Sequence, residues 1–326
     1  MTELCSKLNT KQKRDWQDLL KRSGLSTDET IDSTALIYDG DALIATGSRS
    51  GNILKLIAVD EKRQGEDLTA TILSALRRDA FNAGYRHLFL YTKPKNEAIF
   101  KGLFFYTVVK TSEVVLMEDR PGGISDYVDS LPKGESGVSG VIVMNANPFT
   151  MGHRYLVERA ASECDRLYVF VVSEDKSRFS AKDRYEMVAS GVSDLKNVTV
   201  LQTGEYLLSA ATFPTYFLKD RENATRVRCE VDIAVFLRYI VPRLNITRRY
   251  VGDEPLSPMT RAYNEALADA LSGTGVLLIV VPRISDGKEP ISASRVRALI
   301  DTGDTDALAS LLPPTTLDYL KNNSLI

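Results

Sequence analysis

Histidine is almost missing from this chain: its 326 residues hold two, His87 and His153. A metal site built on several imidazoles is thereby nearly excluded. Cysteine is scarce as well. Cys5, Cys164 and Cys229 are odd in number, scattered, and in no C-x-x-C pair. That argues against a disulfide framework and against a zinc cluster, and fits a reduced compartment. Charge of one sign is also lacking, because 41 Lys and Arg against 43 Asp and Glu leave a formal net charge of -2. Such a chain has no global field to hold a polyanion, so neither nucleic acid nor an anionic membrane is an expected partner. A local basic pocket remains compatible with this balance. The apolar run Val276–Pro282 is too short to span a bilayer. Residues 1–16 lack the apolar core of a signal peptide. The expectation is a soluble, cytoplasmic protein.

What is present is ordinary globular composition, 44% hydrophobic and 26% charged, which excludes long disorder, collagen and coiled coil. At about 100–200 residues per domain the length favours two domains. Residues 119–137, rich in Gly, Pro, Ser and Asp and without apolar period, read as a linker between blocks 1–118 and 138–326. In the first block, Thr34–Tyr38 and Ala42–Ser48 flank Asp39-Gly40-Asp41, a hairpin signal. Asn52–Val59 is a third strand. Leu68, Ile72, Leu76 and Ala80 recur every four residues, predicting a helix over Asp67–Ala83 closed by Gly84. His87–Thr92 is a strand, Asn96–Lys101 a short helix, and Phe105–Val109 with Val114–Glu118 a closing pair of strands.

The second block alternates apolar strands with helices. The strands are Val138–Met144, Arg166–Ser173, Val198–Gln202, Arg248–Val251 and a last buried one over Gly275–Pro282. Helices are expected over His153–Glu163, over Ser180–Gly191 behind a Ser180-x-x-Asp183 capping box, and around Tyr263–Leu271. This grammar predicts a parallel sheet covered on both faces, with ligands beyond the carboxyl ends of its strands.

Candidate chemistry sits just after those strands. Asn145-Ala-Asn147-Pro148-Phe149-Thr150-Met-Gly152-His153 follows the first. Pro148 and Gly152 suit a tight turn and close backbone approach, and His153 opens a helix, where free N–H groups favour phosphate. Taken alone, this is also what any strand-to-helix turn with a histidine looks like. After the last strand, Ile291-Ser292-Ala-Ser294-Arg-Val-Arg297 offers two hydroxyls and a fixed cation, or equally a helix cap with solvated arginines. Lys176-Ser-Arg178-Phe179-Ser-Ala-Lys182-Asp-Arg184 follows the second strand. There Arg184 is either a loop brace or a surface helix charge. Gly252-Asp253-Glu254-Pro-Leu-Ser-Pro, after the fourth strand, either holds ribose, Mg²⁺ or a base amino group, or is a Pro-rich turn.

The first and second segments resemble the T/H-x-G-H and I-S-x-[ST]-x-x-R motifs of the nucleotidyltransferase superfamily. Their order, each after a strand, is hard to obtain by accident. The resemblance implies that Thr150 and His153 contact the phosphates of ATP and stabilise displacement at the α-phosphate, with Ser292, Ser294 and Arg297 on the outer phosphates. It also implies that Lys176 reaches the acceptor or the phosphates. Asn145, Asn147, Pro148, Phe149, Gly152, Gly252, Asp253, Glu254 and Ile291 complete the implied ATP site, which is assisted by Mg²⁺ with no metal ligands identified.

With Asn147–Leu156, Thr260–Glu265 and the stretch Ala211–Leu218 added, the second block is similar to the citrate lyase ligase branch. The Ala211–Leu218 stretch reads as aromatic core packing or as a substrate wall. The branch implies an ATP-dependent reaction in which acetate becomes acetyl-AMP. The acetyl group then passes to the thiol of a CoA-like prosthetic group on the acyl-carrier subunit of citrate lyase, switching the lyase on. The first block resembles a GNAT acetyltransferase fold, with Lys62-Arg-Gln-Gly65-Glu-Asp67 at its pyrophosphate loop. Asp67 stands where a small residue is usual and places a negative charge at the anion position, so a structural or thiol-presenting role competes with acetyl-CoA binding. The expected architecture is therefore a GNAT-like α+β domain followed by a Rossmann-like parallel-sheet nucleotidyltransferase domain. Two other functions fit the same residues. One is an adenylyltransferase for a phosphorylated acceptor such as phosphopantetheine, held by Lys176, Arg178, Lys182 and Arg184. The other is a regulatory protein sensing nucleotide and acyl-CoA.

Overall fold

A computed structural model describes residues 2–27, 30–173, 177–207, 224–253, 258–287, 289–304 and 307–326. The chain forms two compact units, Met1–Ser125 with Phe213–Ala234, and Asp126–Thr212 with Val235–Ile326. Each has a hydrophobic core of its own. No helix among the described residues is long and apolar enough to cross a membrane.

The first unit contains β1 (Thr2–Cys5), α1 (Thr10–Arg22), β2 (Ser33–Asp39), β3 (Ala42–Ser50), β4 (Ile53–Val59), α2 (Leu68–Asn82), β5 (Phe89–Thr92), α3 (Glu97–Lys101), β6 (Tyr106–Lys110) and β7 (Val115–Glu118). Its seven strands run in the order β1-β2-β3-β4-β5-β7-β6. Every pairing is antiparallel except β4 with β5. Gly40, at φ 56°, turns the β2–β3 hairpin as its Asp-Gly-Asp signal predicts. The buried stripe of α2, Ile72, Leu73, Leu76 and Ala80, packs onto the sheet. A mostly antiparallel sheet with α2 packed on it is the α+β arrangement expected of the first block. The expected closing pair is present: β6 and β7 pair antiparallel at the end of the sheet, with β7 next to β5.

The sequence reading did not single out β1 and α1, among other elements. The signal for α1 was present. Asn9 and Gln12 form a capping box, and Trp16, Leu19 and Leu20, three and four residues apart, are buried.

Helix α4 (Gly123–Ser130) lies inside the stretch read as a linker. Ile124 and Leu131 are buried there, and the Arg243 guanidinium donates to the Asp129 and Leu131 carbonyls. At Gly134 a Cβ would stand 2.2 Å from the Leu244 carbonyl carbon, so this connection is packed rather than loose. Ile124, Tyr127, Val128 and Leu131 stand three and four residues apart, the spacing of one helix face, a signal that the Gly, Pro, Ser and Asp around them outweighed in reading the stretch as a linker.

The second unit contains β8 (Ser139–Met144), α5 (Met151–Ala161), β9 (Arg166–Val171), α6 (Ala181–Gly191) and β10 (Val198–Gln202). Next in the chain is α7 (Ala224–Val235), which falls in the first unit apart from Val235. After a π-helical turn come α8 (Val241–Leu244), β11 (Arg248–Gly252), α9 (Pro258–Leu271), β12 (Leu277–Val281), α10 (Ala293–Thr302) and α11 (Pro314–Asn322). The five strands are all parallel, in the order β10-β9-β8-β11-β12. The chain moves outward from β8 to β10 and then returns to the other side of β8. This makes a topological switch point between β8 and β11, where open parallel sheets bind ligands. The parallel α/β sheet predicted from the apolar strands is therefore present. One reading needs correction: β12 is an edge strand, with Leu277 58% and Val280 50% exposed, not a buried one. A run of apolar residues specifies a strand but not its place in the sheet.

Candidate active site

The turn from β8 to α5 is built from short-range forces. Ala146 takes a left-handed conformation, φ 48°, while almost fully buried, and the Asn147–Pro148 peptide is cis. Thr150 then caps α5 reciprocally with His153. The His153 amide donates to the Thr150 hydroxyl (3.4 Å), and the Thr150 amide donates to His153 Nδ1 (3.1 Å). The Thr150 hydroxyl also lies 3.0 Å from Nδ1. An Nδ1 that accepts from a backbone amide carries no proton, so this network assigns the neutral Nε2–H tautomer. Burial, and next the Arg283 charge, push the imidazole pKa down to about 4. The Phe149 ring lies flat against it, centroids 5.9 Å apart.

The second motif meets this turn. Ser292 caps α10 by accepting from the Arg295 amide at 3.2 Å. Arg297 Nη1 donates to the Asn147 carbonyl at 2.6 Å, and Nη2 to the Ser294 hydroxyl at 3.1 Å. A Cβ at Gly152 would lie 3.2 Å from the Ile291 carbonyl oxygen. The close approach that Gly152 permits here is thus between the chain's two motifs.

A cavity of about 540 Å³ opens where they meet, at the switch point. Of the residues singled out from the sequence, Asn145, Thr150, Gly152, His153, Gly252, Ile291, Ser292 and Ser294 line it. Asn147, Pro148, Phe149 and Arg297 are not among its lining residues. They brace the turn from behind, with Phe149 wholly buried and Asn147 Oδ1 accepting from the Phe179 amide at 3.2 Å. Asp253 is exposed at the end of β11, its amide bonded to the Val281 carbonyl. Lys176, Glu254 and the Ala211–Leu218 stretch lie outside the described residues. Arg184 is no surface charge. It is fully buried and braces the loops around Asn145.

Sequence reasoning missed Arg283, Tyr155 and Pro282, all of which line the cavity. Arg283 Nε donates to the Asp253 carbonyl at 2.8 Å, which holds a cation beside His153. A Pro-Arg pair directly after the last apolar strand was the available signal. Among the described residues no three His, Cys, Asp or Glu side chains converge to hold a metal ion.

In the first unit, a cavity of about 250 Å³ is lined by residues of β4 and β5, among them Ala58, Val59, Tyr91 and Thr92. The β4–β5 ladder extends over two residue pairs only. Asp67 precedes α2 in a left-handed conformation, φ 54°, without capping it through its side chain.

Fold and cavity together give a parallel-sheet α/β domain whose strand-to-helix turns converge at the switch point, in a chain whose first unit is an α+β fold. The sequence matches the citrate lyase ligase C-terminal domain over residues 139–320. It is 39% identical over 311 residues to [citrate [pro-3S]-lyase] ligase of Escherichia coli (strain K12), covering 93% of this chain and 88% of that protein. It is also 39% identical over 321 residues to the protein of that name from Klebsiella pneumoniae, covering 96% and 94%. Among solved structures, Escherichia coli ElaA aligns with 37% of this chain and 100% of its own, at 14% identity and a TM-score of 0.32, too low a likeness to carry weight. The chain belongs to the citrate lyase ligase family.

Proposed function

We propose that this chain is an ATP-dependent acid–thiol ligase. It converts acetate and ATP to acetyl-AMP and passes the acetyl group to the thiol of the prosthetic group on the citrate lyase acyl-carrier subunit. The observation that supports this best is the meeting of the Thr150–His153 turn and the Ile291–Arg297 segment around one cavity, in a chain of this family.

In the proposed reaction an acetate oxygen attacks the α-phosphorus of ATP and pyrophosphate departs. Such a displacement needs positioning and charge stabilisation more than covalent help. His153, neutral and donating from Nε2, gives a proton-bearing contact to a phosphoryl oxygen without having to lose a proton first. Thr150 orients that ring rather than spending its own hydroxyl on the ligand. Arg283 and the Ser292 and Ser294 hydroxyls suit the departing phosphates. Arg297 holds the first turn at Asn147 and lends its charge from there. Mg²⁺, delivered with ATP, would neutralise phosphate charge, with Asp253 the described carboxylate nearest the β11 end. The carrier thiolate then attacks the acetyl carbonyl, and AMP leaves. Acetate is small, so restricted room rejects larger acids at about 1–3 kcal/mol per extra methylene.

The alternative of a phosphorylated acceptor is weaker. It needs a free cationic cluster, yet Arg178 pairs with Asp301 and Arg184 is buried beneath backbone carbonyls. ATP–pyrophosphate exchange driven by acetate, with acetyl-AMP detected by mass spectrometry, tests the proposal. Exchange with phosphopantetheine but not with acetate would overturn it.

A further inference from the structure

Arg184 projects from α6 with its side chain 0% exposed, the largest of the wholly buried side chains. Its guanidinium joins three segments. Nε donates to the Phe179 carbonyl (3.1 Å), and Nη1 to the Val172 carbonyl (2.6 Å) and the Asn145 carbonyl (3.1 Å). Nη1 also donates to Asn145 Oδ1, at 2.7 Å. That last contact concerns a side chain that is not buried. Asn145 is exposed at the end of β8 and lines the cavity beside Thr150 and His153.

A carboxamide has one acceptor end and one donor end, and a free one rotates between them. A guanidinium can only donate. Bonded to Arg184, Asn145 must present Oδ1 inward and Nδ2 outward. One Nδ2 hydrogen is used at 3.1 Å on the Ser177 hydroxyl. The amide carries a second hydrogen, for which no partner stands among the described residues and which the cavity beside Asn145 can use.

We infer that Arg184 is a positioning residue for adenylation: it locks the Asn145 amide with its N–H edge toward the cavity, where that N–H donates to an oxygen of the bound acid or α-phosphate. The inference rests on the adenylation reading for the identity of that oxygen, but not for the orientation of the amide. Lysine cannot replace this arginine, because one ammonium cannot span the Phe179, Val172 and Asn145 acceptors in a fixed plane. Glutamate or aspartate at 145 would keep the contact to Arg184 and lose the donor.

The test is a double-mutant cycle on the full chain, read by acetate-dependent ATP–pyrophosphate exchange. Asn145→Ala, at an exposed position, and Arg184→Lys should each lower kcat/KM on the order of tenfold, and the double variant no further. Asn145→Asp should be as slow as Asn145→Ala while melting close to wild type. Losses that multiply in the double variant would overturn the inference, as would an Asn145→Asp chain with wild-type exchange. If Arg184→Lys does not fold, Arg184→Gln takes its place in the cycle. The second readout needs no turnover. In the ¹⁵N-labelled chain the Asn145 carboxamide signals should lie away from those of a free side-chain amide and exchange slowly with water, and Arg184→Lys should move them toward the free positions and speed the exchange. An unchanged amide signal would overturn the positioning role whatever the chain adenylates. Wild-type chain without any acetate-dependent exchange would sink the adenylation reading alone.

Discussion

At the scale of single residues, His153 makes the most definite statement. Its pKa is pushed to about 4 by burial and by Arg283, below the ordinary value near 6.5. Between those values the unfolded chain takes up a proton that the folded chain refuses. Stability is therefore unaffected by this group above about pH 6.5 and drops as pH falls from there toward 4. The slope is at most one proton, about 1.4 kcal/mol per pH unit. Urea melts of wild type and His153→Asn from pH 8 to 5 should diverge only below about 6.5. Parallel curves would mean that the ring titrates normally. In exchange assays, His153→Ala should lower kcat by roughly 10²–10³ with little change in the KM for ATP.

The resemblance places Arg297 near the outer phosphates, and its guanidinium donates to the Asn147 carbonyl and the Ser294 hydroxyl. Arg297→Lys keeps the charge and loses the two-point hold. It should cost most of the exchange activity, and an effect within about threefold would mean that charge alone suffices.

Among whole elements, α6 supports the site from a distance. Gly191 ends this helix against Phe149, where an added Cβ would lie 2.5 Å from Cε1 and 2.8 Å from Cδ1. Phe149 is fully buried and stacked on the His153 ring. Gly to Ala in a helix ordinarily stabilises by about 1 kcal/mol. Here the sign should reverse, with a loss of about 1–3 kcal/mol from overpacking. Denaturant melts of Gly191→Ala measure this, and exchange activity should fall too, because the displaced Phe149 ring is stacked on His153. A variant more stable than wild type would show that the ring moves freely.

For the whole molecule, ligand binding reports which unit holds which ligand. Binding raises stability by RT ln(1 + [L]/Kd). The second unit brings its Thr150–His153 turn and Ile291–Ser294 segment to one cavity, whereas the first places Asp67, a carboxylate, at the N-terminus of α2. Mg-ATP should raise the melting temperature more than acetyl-CoA at equal concentration. A larger shift with acetyl-CoA would make the first unit the principal ligand site.

Much of this could be read from the sequence alone, because the determinants are local. The Leu68–Ala80 period set α2, the Asp-Gly-Asp signal set the first hairpin, and apolar strands followed by Thr150, Ser180 and Ser292 caps set the β-α units. These are forces between residues a few positions apart, and the motif residues lie within such turns. Tertiary structure alone decided which side chains face the cavity. Thr150 and Arg297 carry the motif, yet one turns its hydroxyl to His153 and the other reaches across the chain to Asn147. Arg283 and Arg184 entered, one as a cation at the cavity and the other as a buried brace, because partners distant in sequence met them there. The same holds for the edge position of β12 and the packing of residues 119–137. Periodicity encodes which face of an element is apolar. Which neighbour covers that face, and where a long polar side chain finds its acceptors, is set only when elements far apart in the chain pack together.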